Sequence, residues 1–175
     1  NVGSLDILRN RSDATTSKQF EQAASYFSKA ISLDVHNEQY RLDLSEAKAW
    51  LADSYAIRSM HGPALRARAE QESILGQLLA QDPRNADYRQ RVLLSQVASA
   101  QIQMTSGQLS QGTTLLRELY HQADMAYATD PNNAQHLQHK RAIELLLARA
   151  SLMSPKPGGD VAQYLRSCTT DRLID

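Results

Sequence analysis

The residues best suited to chemistry are two histidines and a carboxylate in the last third of the chain. His136 and His139 lie three residues apart, and Glu144 follows them. On a helix, residues at this spacing project from the same side, so both imidazoles could contact one metal ion. A zinc site needs three or four converging ligands, and neither a cysteine nor a second histidine pair accompanies this one. The favoured interpretation is a solvated polar helix face, and we expect no metal and no cofactor.

Nucleophiles and general bases form no recognisable catalytic motif. The sequence contains no phosphate-binding glycine loop, no Gly-x-Ser-x-Gly turn and no His-Glu-x-x-His pair. Cys168 is the only cysteine, which excludes an intrachain disulfide, and it lies between Arg166 and Arg172. Neighbouring arginines favour a reactive thiolate, but an inert terminal thiol is the simpler interpretation. We therefore expect a protein that is not an enzyme.

The charged side chains balance, with 19 Lys and Arg against 19 Asp and Glu. Nucleic-acid binding normally requires an excess of positive charge, so we expect no nucleic-acid partner. No apolar run approaches the roughly 20 residues of a membrane-spanning helix, so no membrane span is expected in this sequence. The first residue is Asn1 rather than Met, which indicates a fragment of a longer protein. The compartment, cytoplasmic or periplasmic, therefore stays open.

A seven-residue pattern occurs three times at a spacing of 48 residues. Its copies are DVHNEQY (34–40), DPRNADY (82–88) and DPNNAQH (130–136). Pro83 and Pro131 push the preceding residue out of the helical region and so end a helix, while Asn85 and Asn133 are suitable N-caps for the next helix. Recurrence at a period of about 20–50 residues indicates an array of structural repeats.

The segments between these copies have the apolar spacing of helices. Apolar residues recur at steps of three and four from Phe20 to Leu33. Thr16 and Gln19 precede that face with the spacing of a capping box. Gly62-Pro63 is predicted to end the second helix, with Gly62 as its left-handed C-cap, and Gly107 is predicted to end the fourth.

These helices predict an all-α fold, a right-handed superhelical array of antiparallel helix pairs, because neither helix of a pair buries its apolar face alone. Residues 17–153 form the repeat domain in this interpretation. Residues 1–16 are an N-terminal lead-in with a short helix, and residues 154–175 are a linker and a short C-terminal helix over VAQYLRSC.

The segment GPALRARAEQESILGQLLAQDPRNADYRQRVLLSQ resembles the long-helix variety of the tetratricopeptide repeat. In that variety the second helix opens with Gly and runs to an Asp-Pro-x-Asn turn, and the next helix opens with an aromatic residue. The resemblance extends over residues 20–153, although the period is 48 residues rather than the usual 34 or so. It implies a tetratricopeptide-like α-solenoid of the kind found in bacterial signalling proteins, attached to kinase, transcription-factor or other effector domains.

In an array of helix pairs, the first helices of successive pairs line the concave surface. The polar residues of those helices that fall outside the predicted core are the candidate partner-binding residues: Arg41, Lys48, Arg89, Gln96, Gln103, His136 and Lys140. Chaperone-tail-binding members of the family hold a terminal carboxylate with Lys and Asn. Here Lys48 is present but its Asn partners are not, which disfavours that ligand.

The sequence therefore favours a non-catalytic protein–protein interaction module, the scaffold or sensory part of a larger regulatory protein, which binds a peptide or protein on its concave face. The alternative is a self-association domain, forming a homo-oligomer, or a small-ligand sensor of a membrane-anchored or cytoplasmic regulator.

Overall fold

The computed structural model describes residues 14–154, which form six α-helices and no β-strand. The helices are α1 (Ala14–Leu33), α2 (Glu38–Ile57), α3 (His61–Gln81), α4 (Ala86–Thr105), α5 (Leu109–Thr129) and α6 (Ala134–Met153). The predicted all-α class is thus confirmed for this part of the chain. None of these six helices is long and apolar enough to cross a bilayer. The predicted lead-in helix before residue 14, the predicted C-terminal helix and Cys168 lie outside the described residues.

The helix ends recur at the 48-residue spacing of the sequence pattern. Helices α1, α3 and α5 end at residues 33, 81 and 129, and α2, α4 and α6 begin at residues 38, 86 and 134. In each connection the backbone N–H of the aspartate continues the helical hydrogen bonding to the carbonyl four residues earlier. These N···O distances are 3.0 Å at Asp34, 3.1 Å at Asp82 and 3.2 Å at Asp130. The helix therefore ends at the same point of the pattern each time.

The asparagine of each pattern caps the helix that follows it. The side-chain oxygen of Asn37 accepts the N–H of Tyr40 at 3.2 Å, and that of Asn85 accepts the N–H of Tyr88 at 3.1 Å. Asn133 departs slightly, because its side chain accepts from Gln135, one residue earlier in the helix, at 3.0 Å. The predicted N-caps at Asn85 and Asn133 are confirmed, and each satisfies a backbone donor that the helix cannot.

The other connections, after α2 and α4, turn through a left-handed residue. Ser59 has φ 58° and Gly107 has φ 88°. In both turns the next N–H reaches back five residues, from Met60 to the Tyr55 carbonyl and from Gln108 to the Gln103 carbonyl, each at 2.9 Å. This is the bond of a Schellman C-cap. The predicted break at Gly107 is confirmed.

Two predicted helix signals are wrong. Gly62 is not the C-cap of α2, because α2 ends at Ile57 and α3 begins at His61, so Gly62 lies in the first turn of α3. Thr16 is not an N-cap, because α1 already begins at Ala14. At the end of α2 the left-handed turn residue is Ser59, which local composition does not mark.

The described helices form two compact units, which divide between Ile102 and Gln103. In the first unit α1 packs on α2 and α2 on α3, and in the second α5 packs on α6. The members of a pair are antiparallel, because partner numbers fall as residue numbers rise: on α5 and α6, Tyr120 contacts Glu144 and Asp124 contacts Lys140. This confirms the predicted antiparallel packing for these neighbouring helices.

Each unit has its own buried apolar residues, which supply most of the packing energy. In the first unit Leu51, Ala52 and Ala67 form a cluster, against which Phe20 and Tyr55 pack. Leu75 and Leu78 of α3 are fully buried. In the second unit the largest buried side chains are those of Leu116, Leu119, Ile143 and Leu147.

The left-handed residue at Ser59 predicts a stabilising substitution. Ser59→Gly is expected to raise the free energy of unfolding by about 0.5–1 kcal/mol, since glycine adopts φ 58° without the steric cost of a Cβ atom. At the corresponding position, Gly107→Ala is expected to lower it by about 1 kcal/mol. Urea denaturation monitored by circular dichroism measures both changes.

Gly76→Ala is the matched control. A Cβ atom would meet nothing within 4 Å at Gly76 or at Gly107, so both substitutions add a methyl group in open space. Gly76 lies inside α3, where alanine should instead stabilise the helix by about 1 kcal/mol. Equal effects of the two Gly→Ala changes would contradict the role of backbone conformation at Gly107.

Candidate functional site

Two helices that begin after the Asp-x-x-Asn pattern lie side by side in the first unit. The Tyr88 hydroxyl of α4 donates to Glu38 Oε2 of α2 at 2.9 Å, and Arg91 Nη1 donates to Glu46 Oε1 at 2.8 Å. Partner numbers rise together here, so α4 runs alongside α2 in the same direction. Tyr88 is 6% exposed, and its burial, followed by the bond to Glu38, raises the pKa of the phenol, which stays a donor.

The exposed surface of this helix pair combines apolar and charged groups. We define the α2–α4 face as Glu46 and Trp50 of α2 with Asp87, Arg91 and Leu94 of α4. Trp50 and Leu94 are 38% and 47% exposed. Arg91 donates to Glu46 and, through Nε, to Asp87 Oδ2 at 2.7 Å. These bonds raise the pKa of Arg91, so the guanidinium keeps its charge between two carboxylates.

The tryptophan of this face is held by its own neighbours. The Trp50 ring stacks on Phe20 of α1, with ring centroids 6.2 Å apart and an angle of 16° between the planes. The stack covers one side of the indole and fixes its orientation, so an incoming side chain would meet a rigid aromatic surface.

Two of the predicted partner-binding residues tie the helices of the first unit together. Arg41 donates to the Val35 carbonyl in the turn before α2 and to Gln81 Oε1 at the end of α3, the latter at 3.2 Å. Lys48 forms an ion pair with Glu70 of α3 and is 21% exposed. Both cations are therefore engaged with neighbouring elements of the same unit.

The next three predicted residues lie on α4. Arg89 is exposed, and its Nη2 donates to the Arg84 carbonyl at 3.3 Å. Gln96 and Gln103 are partly buried, and Gln103 Oε1 is a buried acceptor without a hydrogen-bond partner in the described part of the chain. Of the predicted residues on α2 and α4, Arg89 thus has the most accessible charge.

Lys140, in the second unit, points towards α5. Its Nζ lies 2.8 Å from Asp124 Oδ1, 5.2 Å from the ring centroid of Tyr127 and 6.0 Å from that of Tyr120. Burial alone would lower the pKa of Lys140, but the hydrogen bond to Asp124 and nearby negative groups outweigh it and raise the pKa. The ammonium group is thus held charged between α5 and α6 by a carboxylate and two aromatic rings.

The histidines considered for metal binding lie on α6 as well. His136 is partly buried, and its Nδ1 has no hydrogen-bond partner within residues 14–154. Glu144 is 2% exposed and accepts a hydrogen bond from the Tyr120 hydroxyl at 3.2 Å. Within those residues no three His, Cys, Asp or Glu side chains converge as a metal site would require. Burial, with a smaller effect of His136, lowers the pKa of His139.

A buried polar layer that the sequence did not predict connects α2, α3 and α4. Arg68 of α3, 6% exposed, forms an ion pair with Asp53 of α2 and donates to Gln71 Oε1 at 2.7 Å. The same oxygen accepts from Ser95 Oγ of α4 at 2.9 Å. One signal was available: Arg68 and Gln71 share a helical face with the buried Ala64, Leu75 and Leu78. This layer holds in register the helices that carry the α2–α4 face.

A cleft of about 180 Å³ opens between α1, α2 and α3. It is lined by Glu21, Lys48, Leu51, Tyr55, Pro63, Arg66, Ala67 and Glu70. Its polar groups are largely paired, since the Tyr55 hydroxyl donates to Glu21 and Lys48 contacts Glu70. The cleft is smaller than the roughly 300–1,000 Å³ of ordinary ligand pockets, so it suits a single side chain better than a cofactor.

The chain matches no protein-family model, no curated protein and no solved structure. The geometry of the α2–α4 face and of the helices around it therefore carries the functional argument.

The buried ion pair predicts a large loss of stability when one partner is removed. Asp53→Ala is expected to lower the free energy of unfolding by about 2–4 kcal/mol, because it leaves the Arg68 guanidinium buried without a counter-charge. Lys48→Ala breaks the other α2–α3 ion pair, whose Glu70 partner is 55% exposed, and should cost less than about 1 kcal/mol. Urea denaturation compares the two variants.

A double variant separates the charge effect from lost packing. Adding Arg68→Met to Asp53→Ala removes the uncompensated charge and keeps an apolar side chain of similar length, so most of the lost stability should return. A double variant no more stable than Asp53→Ala alone would contradict the importance of the buried charge.

The lowered pKa of His139 predicts loss of stability in acid. The folded state binds a proton at His139 less readily than the unfolded state, whose histidine pKa is about 6.5. Stability contributed by neutral His139 is therefore present above pH 6.5 and is lost as the pH falls towards the folded pKa. His139→Gln should make the thermal midpoint of unfolding less sensitive to pH between about 7.5 and 5.5. Identical pH dependence in both proteins would rule out this contribution.

Proposed function

We propose that this chain is a non-catalytic protein–protein interaction module that binds a peptide or protein segment on the α2–α4 face. The observation that carries the proposal is the parallel pairing of α2 and α4, which leaves Trp50 and Leu94 exposed beside the Arg91 charge cluster. Aromatic and apolar anchors bordered by polar groups are typical of binding hot spots. The stacked Trp50 is already ordered, so binding would cost little side-chain entropy there.

The charges of this face favour a particular kind of peptide. Glu46 and Asp87 supply two carboxylates against the single guanidinium of Arg91. Both carboxylates are more than half exposed, so they remain accessible to a partner. A segment with an apolar anchor next to Lys or Arg would be complementary to the face.

The same proposal includes a repeat array and a larger protein to which this chain would belong. Helix ends that recur every 48 residues and parallel neighbours such as α2 and α4 are what a tetratricopeptide-like superhelical array requires. In that setting the chain would be the scaffold or sensory part of a larger, bacterial signalling or regulatory protein. The exposed Arg89 lies two residues before Arg91 and therefore projects from the other side of α4, outside the proposed surface.

Of the alternatives, self-association is tested alongside the main proposal. A small-ligand sensor is less well supported, because the cleft between α1, α2 and α3 is small and its charges are mostly paired with one another.

The proposal is tested by selecting peptides from a random displayed library on the whole chain and measuring their affinity by fluorescence anisotropy. We expect peptides with an apolar residue next to Lys or Arg, and Leu94→Asp should weaken their binding by about tenfold or more. Leu33→Asp is the matched control, because Leu33 is 89% exposed at the end of α1, away from the face. It should change the affinity less than about twofold.

Equal binding to wild type and to the Leu94→Asp variant would overturn the assignment of the face. Sedimentation of the unliganded chain addresses the alternative: a dimer that dissociates on Leu94→Asp would make this face a contact between two copies.

A further inference from the structure

Helix α6 has an exposed stripe on the side away from α5. The α6 stripe consists of Gln138, Ala142, Leu145, Arg149 and Leu152, all of which are exposed. Leu145 and Leu152 are 64% and 74% exposed. Steps of four, three, four and three residues give the regular seam by which one helix packs along another. Such exposure of two leucines on one seam marks a surface that lacks its partner within the described residues.

The corresponding positions of α2, 96 residues earlier, show what this side of a helix does when it is covered. Leu145 and Leu152 correspond to Ala49 and Ala56, which are partly buried. Arg149 corresponds to Asp53, which forms the ion pair with Arg68 of α3. On α2, therefore, this side packs against another helix and pairs a charge with it.

The charge on α6 is of the opposite sign. Arg149 stands where α2 has an aspartate, so a helix packed here would supply a carboxylate where α3 supplies a guanidinium. Within Ala134–Met153 the only acidic residue is Glu144, which is 2% exposed and bonded to Tyr120. The exposed side of α6 thus carries positive charge without a compensating carboxylate of its own.

We propose that the α6 stripe binds an acidic amphipathic helix of a partner protein. The apolar side of that helix would cover Leu145 and Leu152, and a carboxylate would pair with Arg149. The stripe spans Gln138 to Leu152, about 21 Å at 1.5 Å per residue, so the partner helix needs about four turns.

Charge argues against the two nearest other occupants. Residues 155–175 of this chain carry three basic and three acidic side chains, so this segment offers Arg149 no net negative charge. Two copies of α6 packed together would bring the positive charge of one Arg149 towards that of the other. Like charges brought together in this way oppose association.

The test uses the whole chain and two synthetic helical peptides of about 18 residues. Both have leucine along one seam; the acidic probe has Glu at the flanking positions and the basic probe has Lys. Fluorescence anisotropy should show the acidic probe binding about tenfold or more tightly than the basic probe. Leu145→Ser should weaken binding of the acidic probe by about tenfold. Arg149→Glu should make the basic probe bind more tightly than the acidic one.

Controls separate this surface from the α2–α4 face. Leu33→Ser changes a leucine on α1 that is even more exposed, at 89%, and should leave probe binding unchanged. Leu94→Asp should also leave it unchanged, so failure of one proposal does not imply failure of the other. Binding of the acidic probe that is lost in Leu94→Asp but kept in Leu145→Ser would overturn the assignment to α6, as would equal binding of the two probes.

Two further measurements decide between occupants. A dimer in sedimentation that Leu145→Ser dissociates would make a second copy the occupant and overturn the proposal. If Leu165→Ser in the full chain strengthens binding of the acidic probe by about tenfold, the chain's own C-terminal segment competes for the stripe. That result would also overturn the proposal.

Discussion

The asparagine cap and the tyrosine that it binds connect local structure to packing. Asn85 accepts the N–H of Tyr88, and the hydroxyl of the same tyrosine donates to Glu38, the first residue of α2. Asn37 in turn caps α2 just before Glu38. The cap thus fixes where each helix begins, and the phenol joins the two beginnings. Since each residue rotates a helix by 100°, starting α4 one residue later would turn its face away from α2. The pairing of Arg91 with Glu46 depends on that phase.

Polar contacts rather than apolar shape set the register of the first unit. Much of its buried surface is alanine, a small and symmetric side chain that packs nearly as well one turn along as in its native place. The polar layer does not tolerate such a shift, because Arg68 must meet Asp53 and Gln71 while Gln71 also accepts a hydrogen bond from Ser95. A helix slipped by one turn would leave these groups buried without partners, which is costly in a medium of low dielectric constant. The layer therefore specifies one arrangement among several that the alanines alone would allow.

Sequence predicted those features that local chemistry determines. Caps and left-handed turns depend on a few neighbouring residues, which is why the Asp-x-x-Asn connections and the break at Gly107 were predicted correctly. Gly62 misled because a Gly-Pro pair is a stronger local signal than Ser59, which nevertheless adopts the left-handed conformation that its turn requires. Arg68 was missed for a different reason. Its burial depends on Asp53 from another helix, and no spacing within α3 encodes that partner. The ion pair of Lys140 with Asp124 was missed for the same reason, because Asp124 lies on a different helix.

The balance of 19 positive and 19 negative charges conceals a local separation that bears on the choice of partners. On the α2–α4 face two carboxylates surround the single guanidinium of Arg91. The exposed side of α6 carries Arg149 and no carboxylate, because the one acidic residue of that helix, Glu144, is buried. A net charge of zero weakens long-range attraction to any strongly charged polymer, yet leaves each surface its own short-range preference. One ligand cannot be complementary to both surfaces. If both bind as proposed, they bind different partners, and the chain would join a basic segment to an acidic helix, which is the role of a scaffold rather than of a simple receptor.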